Sequence, residues 1–224
     1  LLQAFGGPGR TALSFAPTYS MYPEYARDTA TAWVVGRRDD DFAIDADHAL
    51  DQVRRHEPSV ILLASPNNPT GTAVPLELVR ALHEAADGIV VVDEAYAEFR
   101  RAGTPSALSL LADHPRVAVV RTMSKAFAFA GARLGYVAAA ADIVEALQVV
   151  RLPYHLSAVT QAVARVALAH AAELLATVDA IRADRDALAA WLRGLGLTVP
   201  ESDANFVLFG RFPDRHAVWQ GLLD

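Results

Sequence analysis

Lys125 is the side chain of this protein best suited to covalent chemistry. It lies in Arg121–Tyr136, RTMSKAFAFAGARLGY, a run otherwise made mostly of small, apolar and aromatic residues that follows the aliphatic run RVAVVRT. Apolar surroundings disfavour an ammonium, and a free amine forms Schiff bases with carbonyls. The ordinary alternative is a lysine snorkelling from a surface loop, and Ala126, Phe127, Ala128 and Phe129 weigh against it. Ser124 and Arg133 bracket the lysine with a hydroxyl and a guanidinium, the groups expected around a phosphate. Gly131 and Gly135 would let backbone come close.

Three other stretches carry candidate groups. In GIVVVDEAYAEF, Asp93 follows four aliphatic residues. A carboxylate at the end of a buried strand is costly unless paired, and a cationic ring nitrogen would suit it. A helix N-cap and a metal site shared with Glu94 are the rival readings, though His83 and His114 have no ligand-like spacing. Tyr96 either reaches the same cavity or packs in the core. In ILLASPNNPTG a strand ends near Ser65 and turns through Pro66, Asn67, Asn68, Pro69 and Gly71, which presents the Asn68 amide at a sheet edge; alone, the motif reads equally well as a turn. Tyr19, in PTYSMYPEY, could stack on a flat heteroaromatic ring or belong to the core.

Strands and helices must position these groups. Aliphatic runs at 11–17, 32–36, 59–65, 88–94, 116–122 and 133–139 lack polar alternation, as strands covered on both faces do. Helical patterns at 20–29, 47–57, 75–87 and 105–113 separate them, with Pro75 at a first helical position and Asp45 or Asp47 as a cap. This rhythm predicts an α/β layered domain, whose ligands bind outside the carboxyl ends of the strands. From about residue 141 the texture changes. Long Ala-rich helices between Ser157 and Leu195, a strand in SDANFVLFGRF and a helix at 214–223 are expected. Residues 1–178 are read as a large cofactor-binding domain and 179–224 as the start of a smaller one, joined by a helix. LLQAF at the start looks like the middle of an amphipathic helix, so the chain is read as a fragment.

Composition narrows the partners. A formal net charge of -6 and a pI near 5.6 argue against nucleic acid or an anionic membrane surface and favour a small-molecule ligand. The absence of cysteine excludes disulfides, Cys-ligated zinc and thiol catalysis, and fits a reducing cytosol. Neither an 18-residue apolar run nor a secretory leader pattern is present, so a soluble, unsecreted protein is expected. A nicotinamide-binding Rossmann unit is disfavoured because GGPGR precedes its strand and no G-x-G-x-x-G follows one. His155, in LPYHLS, is assigned a structural place.

Taken in order, PTY, SPNNPTG, VVDEAY and SKAFAFAGARLGY resemble the fold-type I pyridoxal-phosphate aminotransferases of class I and II, and among them the histidinol-phosphate aminotransferases, from about Gly6 to Phe212. The resemblance implies a three-layer α/β/α large domain with a mostly parallel sheet, part of a smaller α/β domain, and pyridoxal 5'-phosphate as cofactor. It makes Lys125 the residue that holds the cofactor as a Schiff base and shuttles a proton. By the same likeness Asp93 pairs with the pyridinium nitrogen, Asn68 and Tyr96 donate to the phenolic oxygen, Ser124 and Arg133 anchor the phosphate, and Tyr19 stacks on the ring. No metal is implied. The implied reaction is transamination between L-histidinol phosphate and 2-oxoglutarate, yielding imidazole acetol phosphate and glutamate in histidine biosynthesis, by a cytoplasmic homodimer. An aromatic-amino-acid aminotransferase and a non-catalytic module of the same fold are the alternatives. Members of this family are longer, with further segments upstream and downstream.

Overall fold

A computed structural model describes all residues from Leu1 to Asp224. Each of the six aliphatic runs forms a strand: β1 (Thr11–Ala16), β2 (Ala32–Arg37), β3 (Val60–Ala64), β4 (Ile89–Asp93), β5 (Val117–Thr122) and β6 (Gly135–Ala139). They make one sheet in the order β2-β1-β3-β4-β5-β6, with β1 to β5 parallel and β6 antiparallel to β5.

The period of two along each strand sorts the core into two layers. Leu13, Phe15, Ile61, Leu63, Val90, Val92, Val117 and Val119 face one side, where α3 (Ala46–His56) supplies Ala49 and Val53 and α4 (Leu76–Ala85) supplies Val79 and Leu82. Ala12, Val60, Leu62, Ile89, Val91 and Ala118 face the other. There they meet Leu2 of α1 (Leu2–Phe5), Tyr22 and Ala26 of α2 (Tyr22–Asp28) and Ile143 of α5 (Ala141–Val150). Both faces of the inner strands β1, β3, β4 and β5 are covered, which is why they read as unbroken aliphatic runs, while the edge strands β2 and β6 stay partly exposed. Each fully buried Leu, Ile or Val here contributes about 1.5–3 kcal/mol relative to exposure.

Local signals account for most boundaries. Asp45 caps α3, its Oδ1 accepting from the His48 N–H at 2.8 Å, and Arg54, Arg55 and His56 complement the dipole at the other end. Pro75 is the N-cap of α4, one position before the place expected of it. The 105–113 helix is only a 3-10 turn, Ala107–Leu110. Its first amide, Ala107 N–H, donates to Glu94 Oε1 at 2.7 Å, and Ser106 Oγ both caps the turn and bonds Glu94, so the segment is held by the neighbouring strand end.

The C-terminal third is helical: α6 (Ala158–Ala169), α7 (Ala171–Gly194) and α8 (Arg215–Leu223). SDANFVLFGRF forms no strand. One backbone bond, Gly210 N–H to the Thr198 carbonyl at 2.7 Å, joins it to the preceding turn, and a strand exists only through a ladder of such bonds. Instead the segment is fixed by a backbone bond from the Asp203 N–H to the Gly71 carbonyl at 2.8 Å and by side chains. Asp203 Oδ1 accepts from Arg101 N–H at 2.8 Å and the Thr104 hydroxyl at 2.9 Å, and Arg185 of α7 donates to the carbonyls of Phe99 and Ala204 at 2.7 and 3.0 Å. Val178 and Leu175 of α7 pack with Tyr96, Phe99, Ala126 and Phe206. None of the helices is long and apolar enough to cross a membrane.

Candidate active site

A cleft of about 400 Å³ opens at the carboxyl ends of β3, β4 and β5. Tyr19, Asn68, Asp93, Tyr96, Ser124, Lys125 and Arg133 all line it, so the seven residues singled out from the sequence converge on one place. Sheet order explains the convergence. β3 leads into Pro66 and Asn68, β4 ends at Asp93, and β5 ends at Thr122 before Ser124 and Lys125, on three adjacent strands. A larger cavity, about 840 Å³, lies elsewhere, between Asp40–Phe42 and the 193–211 segment, and contains none of these side chains.

Asn68 Nδ2 donates to the Tyr96 hydroxyl at 3.0 Å, which fixes the amide and phenol side by side. Lys125 Nζ stands 5.4 Å from the centroid of the Tyr96 ring, within cation–π range. Tyr96 is 9% exposed and meets Phe206 edge-on at 5.2 Å, so it is at once a core aromatic and a wall of the cleft. The turn that carries Lys125 is tied down by the Ser124 N–H donating to Thr122 Oγ1 at 3.1 Å, Ala128 N–H to the Lys125 carbonyl at 2.9 Å and Phe129 N–H to the Met123 carbonyl at 3.0 Å. Arg133 adopts left-handed backbone, φ 54° and ψ 44°, and spends one guanidinium N–H on the Ala130 carbonyl at 3.3 Å. Of the two nearby glycines only Gly135 permits a close approach: a Cβ there would sit 2.8 Å from the Arg121 carbonyl, whereas Gly131 faces open space.

Strand alternation sends Asp93 and Glu94 to opposite faces of the sheet. Asp93 Oδ2 accepts from the Tyr22 hydroxyl at 3.0 Å and Oδ1 from the Ala95 N–H at 3.1 Å. Burial pushes its carboxyl above the ordinary range, and those two hydrogen bonds offset only part of that rise. Glu94 is instead bound to Arg121, at 2.6 Å from Nη2 and 3.1 Å from Nε, to Ser106 and to Ala107. A metal site shared by the two carboxylates is therefore not formed. Arg121 is engaged further by Glu98 Oε1 at 3.5 Å from its Nη1. Tyr19 is partly exposed, 5.5 Å from Tyr22 in an edge arrangement, and presents its ring to the cleft. His155 is exposed and stands apart from these residues.

Tyr22, Tyr25 and Thr122 belong to the site or its support and were not anticipated. Tyr22 and Tyr25 lie three and six positions after Tyr19 on the face of α2 turned to the sheet edge, a spacing visible in PTYSMYPEY once the helix start is known. The donor set suits a flat, phosphorylated heteroaromatic aldehyde. A half-buried carboxylate paired with no lysine or arginine would take a cationic ring nitrogen, an amide and a phenol would meet an oxyanion, a hydroxyl and a guanidinium would meet a phosphate, and an amine would take the carbonyl.

The aminotransferase class I and II family model matches residues 1–224. The chain is 66% identical over 224 residues to the histidinol-phosphate aminotransferase of Thermobifida fusca, a match that covers all of this chain and 61% of that protein. It is 62% identical over 223 residues to histidinol-phosphate aminotransferase 3 of Burkholderia lata, covering 100% of this chain and 60% of that one. The crystal structure of histidinol-phosphate aminotransferase from Sinorhizobium meliloti in complex with pyridoxal-5'-phosphate superimposes with a TM-score of 0.83 at 28% identity, over 93% of this chain and 57% of that one. The chain thus spans roughly three fifths of the length of the curated relatives it matches, 61% and 60% for these two.

Proposed function

The chain belongs to the class I and II aminotransferases, and from that premise we propose that its cleft binds pyridoxal 5'-phosphate and that the protein transfers the amino group of L-histidinol phosphate to 2-oxoglutarate, a step of histidine biosynthesis. The observation that carries the proposal is the half-buried carboxylate of Asp93, which no cation pairs, in the same cleft as the Lys125 amine. The cofactor, when bound, supplies an electron sink for the charge left on the substrate Cα. Asp93 keeps the proton on the ring nitrogen. Asn68 and Tyr96, already aligned on each other, donate to the phenolic oxygen, while Ser124 Oγ and the Arg133 guanidinium hold the phosphate and Tyr19 covers a ring face. Lys125 Nζ is the amine that would hold the group's carbonyl, and the same nitrogen stands where it would take the proton from the substrate Cα. The names of the relatives at 66% and 62% identity support the choice of substrate.

The same proposal extends to assembly and location. Val159, Val163 and Val166 form an exposed apolar strip along α6, and Val149 and Leu152 are exposed as well, apolar surface suited to a second copy in a homodimer. The lack of cysteine suits the cytoplasm. The division into a large domain to residue 178 and a smaller one beyond falls inside α7. That helix packs on the site through Val178 and on the C-terminal segment through Ala189 and Leu192, as a connector would.

The test uses full-length protein. It is incubated with pyridoxal phosphate and reduced with borohydride, and the adduct is mapped by mass spectrometry, with Lys125 expected to carry it. An unlabelled Lys125 would remove the proposal. Comparison of amino transfer from histidinol phosphate, phenylalanine and tyrosine then decides the substrate, and faster turnover of the aromatic amino acids would overturn it.

A further inference from the structure

Tyr22 has no part in the chemistry above, yet its phenol is the one side chain that hydrogen-bonds Asp93, at 3.0 Å. It is 4% exposed at the start of α2, braced edge-on by Tyr19, with Pro23 next to it in the first helical turn. We propose that Tyr22 is a positioning residue: its hydroxyl holds Asp93 ionised and turned to the cleft, and thereby sets how firmly the carboxylate keeps a proton on a ligand's ring nitrogen. This rests on the reading of Asp93 as the partner of the cofactor ring.

The surroundings of Asp93 show why it needs such a donor. Burial favours its neutral form and the adjacent Glu94 charge acts in the same sense, whereas only the Tyr22 hydroxyl and the Ala95 N–H oppose them. Lys125, Arg133 and Arg121 line the same cleft without pairing with it, Arg121 being bound to Glu94. From the end of β2, Arg38 acts on the phenol, since its guanidinium, buried against the carbonyls of Phe15 and Phe42, favours the phenolate. That influence is outweighed. Burial and the Asp93 charge push the Tyr22 phenol well above its ordinary value, so it remains a donor across the physiological range. Each carboxylate oxygen accepts one hydrogen bond from the protein and keeps a lone pair free. A protonated Asp93 would lose that capacity on the oxygen that bears the proton, and with it the charge that pairs with a pyridinium.

Tyr22→Phe removes the hydroxyl and keeps the ring. In cofactor-free full-length protein, the Asp93 carboxylate band is isolated by infrared difference against Asp93→Asn. Its protonation midpoint is expected to rise by about one pH unit in Tyr22→Phe, in line with the loss of a hydrogen bond to a charged group. At a pH below the wild-type midpoint, pyridoxal phosphate affinity should fall about tenfold with Tyr22→Phe when Asp93 is present, and by less than about twofold when Tyr22→Phe is combined with Asp93→Asn. An unmoved midpoint, or an equal loss of affinity in both backgrounds, would overturn the proposal and leave Tyr22 a packing residue. A wild-type protein with no adduct on Lys125 would overturn the cofactor reading instead, while the infrared measurement still decides whether Tyr22 governs Asp93.

Discussion

Glu94→Gln perturbs the polar network that joins the ends of β4 and β5, and its cost can be worked from the contacts. The Glu94 side chain is 2% exposed and accepts from Arg121 at 2.6 and 3.1 Å, from Ser106 Oγ at 2.8 and 2.9 Å, and from the Ala107 N–H at 2.7 Å. An amide replaces one accepting oxygen by a donor, so either Arg121 or Ala107 loses an acceptor. The Arg121 guanidinium, 14% exposed, is then left with Glu98 at 3.5 Å as its nearest carboxylate. Removing one partner of a buried pair costs about 3–5 kcal/mol. The retained shape and the presence of Glu98 reduce this to about 2–3 kcal/mol, a fall in Tm of roughly 5–10 °C for a chain of this size. Urea unfolding of the cofactor-free full-length protein measures it. The combination of Glu94→Gln with Arg121→Met should recover part of the loss, because no charge is then stranded. A loss below about 0.5 kcal/mol, or a double variant no more stable than the single one, would show that the ion pair does not hold the strand ends together.

Three further outcomes are expected. Asp93→Asn should lower turnover by roughly 100-fold or more while cofactor affinity falls less, because Ser124 and Arg133 remain; equal losses in kcat and in cofactor binding would count against the ring-nitrogen role. His83 is buried 5.0 Å from His114 with no partner for either ring nitrogen, and burial together with Arg116 pushes it below its ordinary 6.5. Its contribution to stability is complete above pH 6.5 and is lost as the pH falls from there through its lower folded value, so Tm should drop between pH 7 and 5 by less in His83→Phe than in wild type. Parallel acid profiles would sink that assignment. Gly71 has φ +76° and an added Cβ would press on Ser202, at 2.8 Å from its Cβ, so Gly71→Ala should cost about 2 kcal/mol in denaturant unfolding, and a loss under about 0.5 kcal/mol would refute the strain.

The strands were legible because burial on both faces erases the polar alternation that a half-exposed strand would show, as in VILLA and IVVVD. Site residues were legible because Asn68, Asp93 and Lys125 each follow such a run within a few positions, where ligands of parallel sheets bind. What lay beyond the sequence depended on partners far along the chain. Ala107 donates to Glu94 from 13 residues away, which docks a short 3-10 turn on the end of β4, and SDANFVLFGRF has the composition of a strand without a ladder to join. The division of labour between Asp93 and Glu94 follows from which face each occupies, and Tyr22 needed the direction of α2. Two adjacent acids look alike in a sequence, and the pleat separates them.

That pleat makes the cleft a reporter on folding. Asp93 stands opposite Val120 on β5 and Ala64 on β3, in a parallel ladder whose strands are brought together only by crossover connections. A slip of β4 by one residue would turn Asp93 away and swing Glu94 toward the cleft, exchanging a carboxylate that waits for a ligand with one that belongs to Arg121. Collapsed chains with misaligned strands would therefore be blind to the cofactor even if their secondary structure were complete. In a refolding reaction, cofactor capture should emerge last, after helix content and compaction have reached their final values, and so distinguish correctly registered molecules from compact ones.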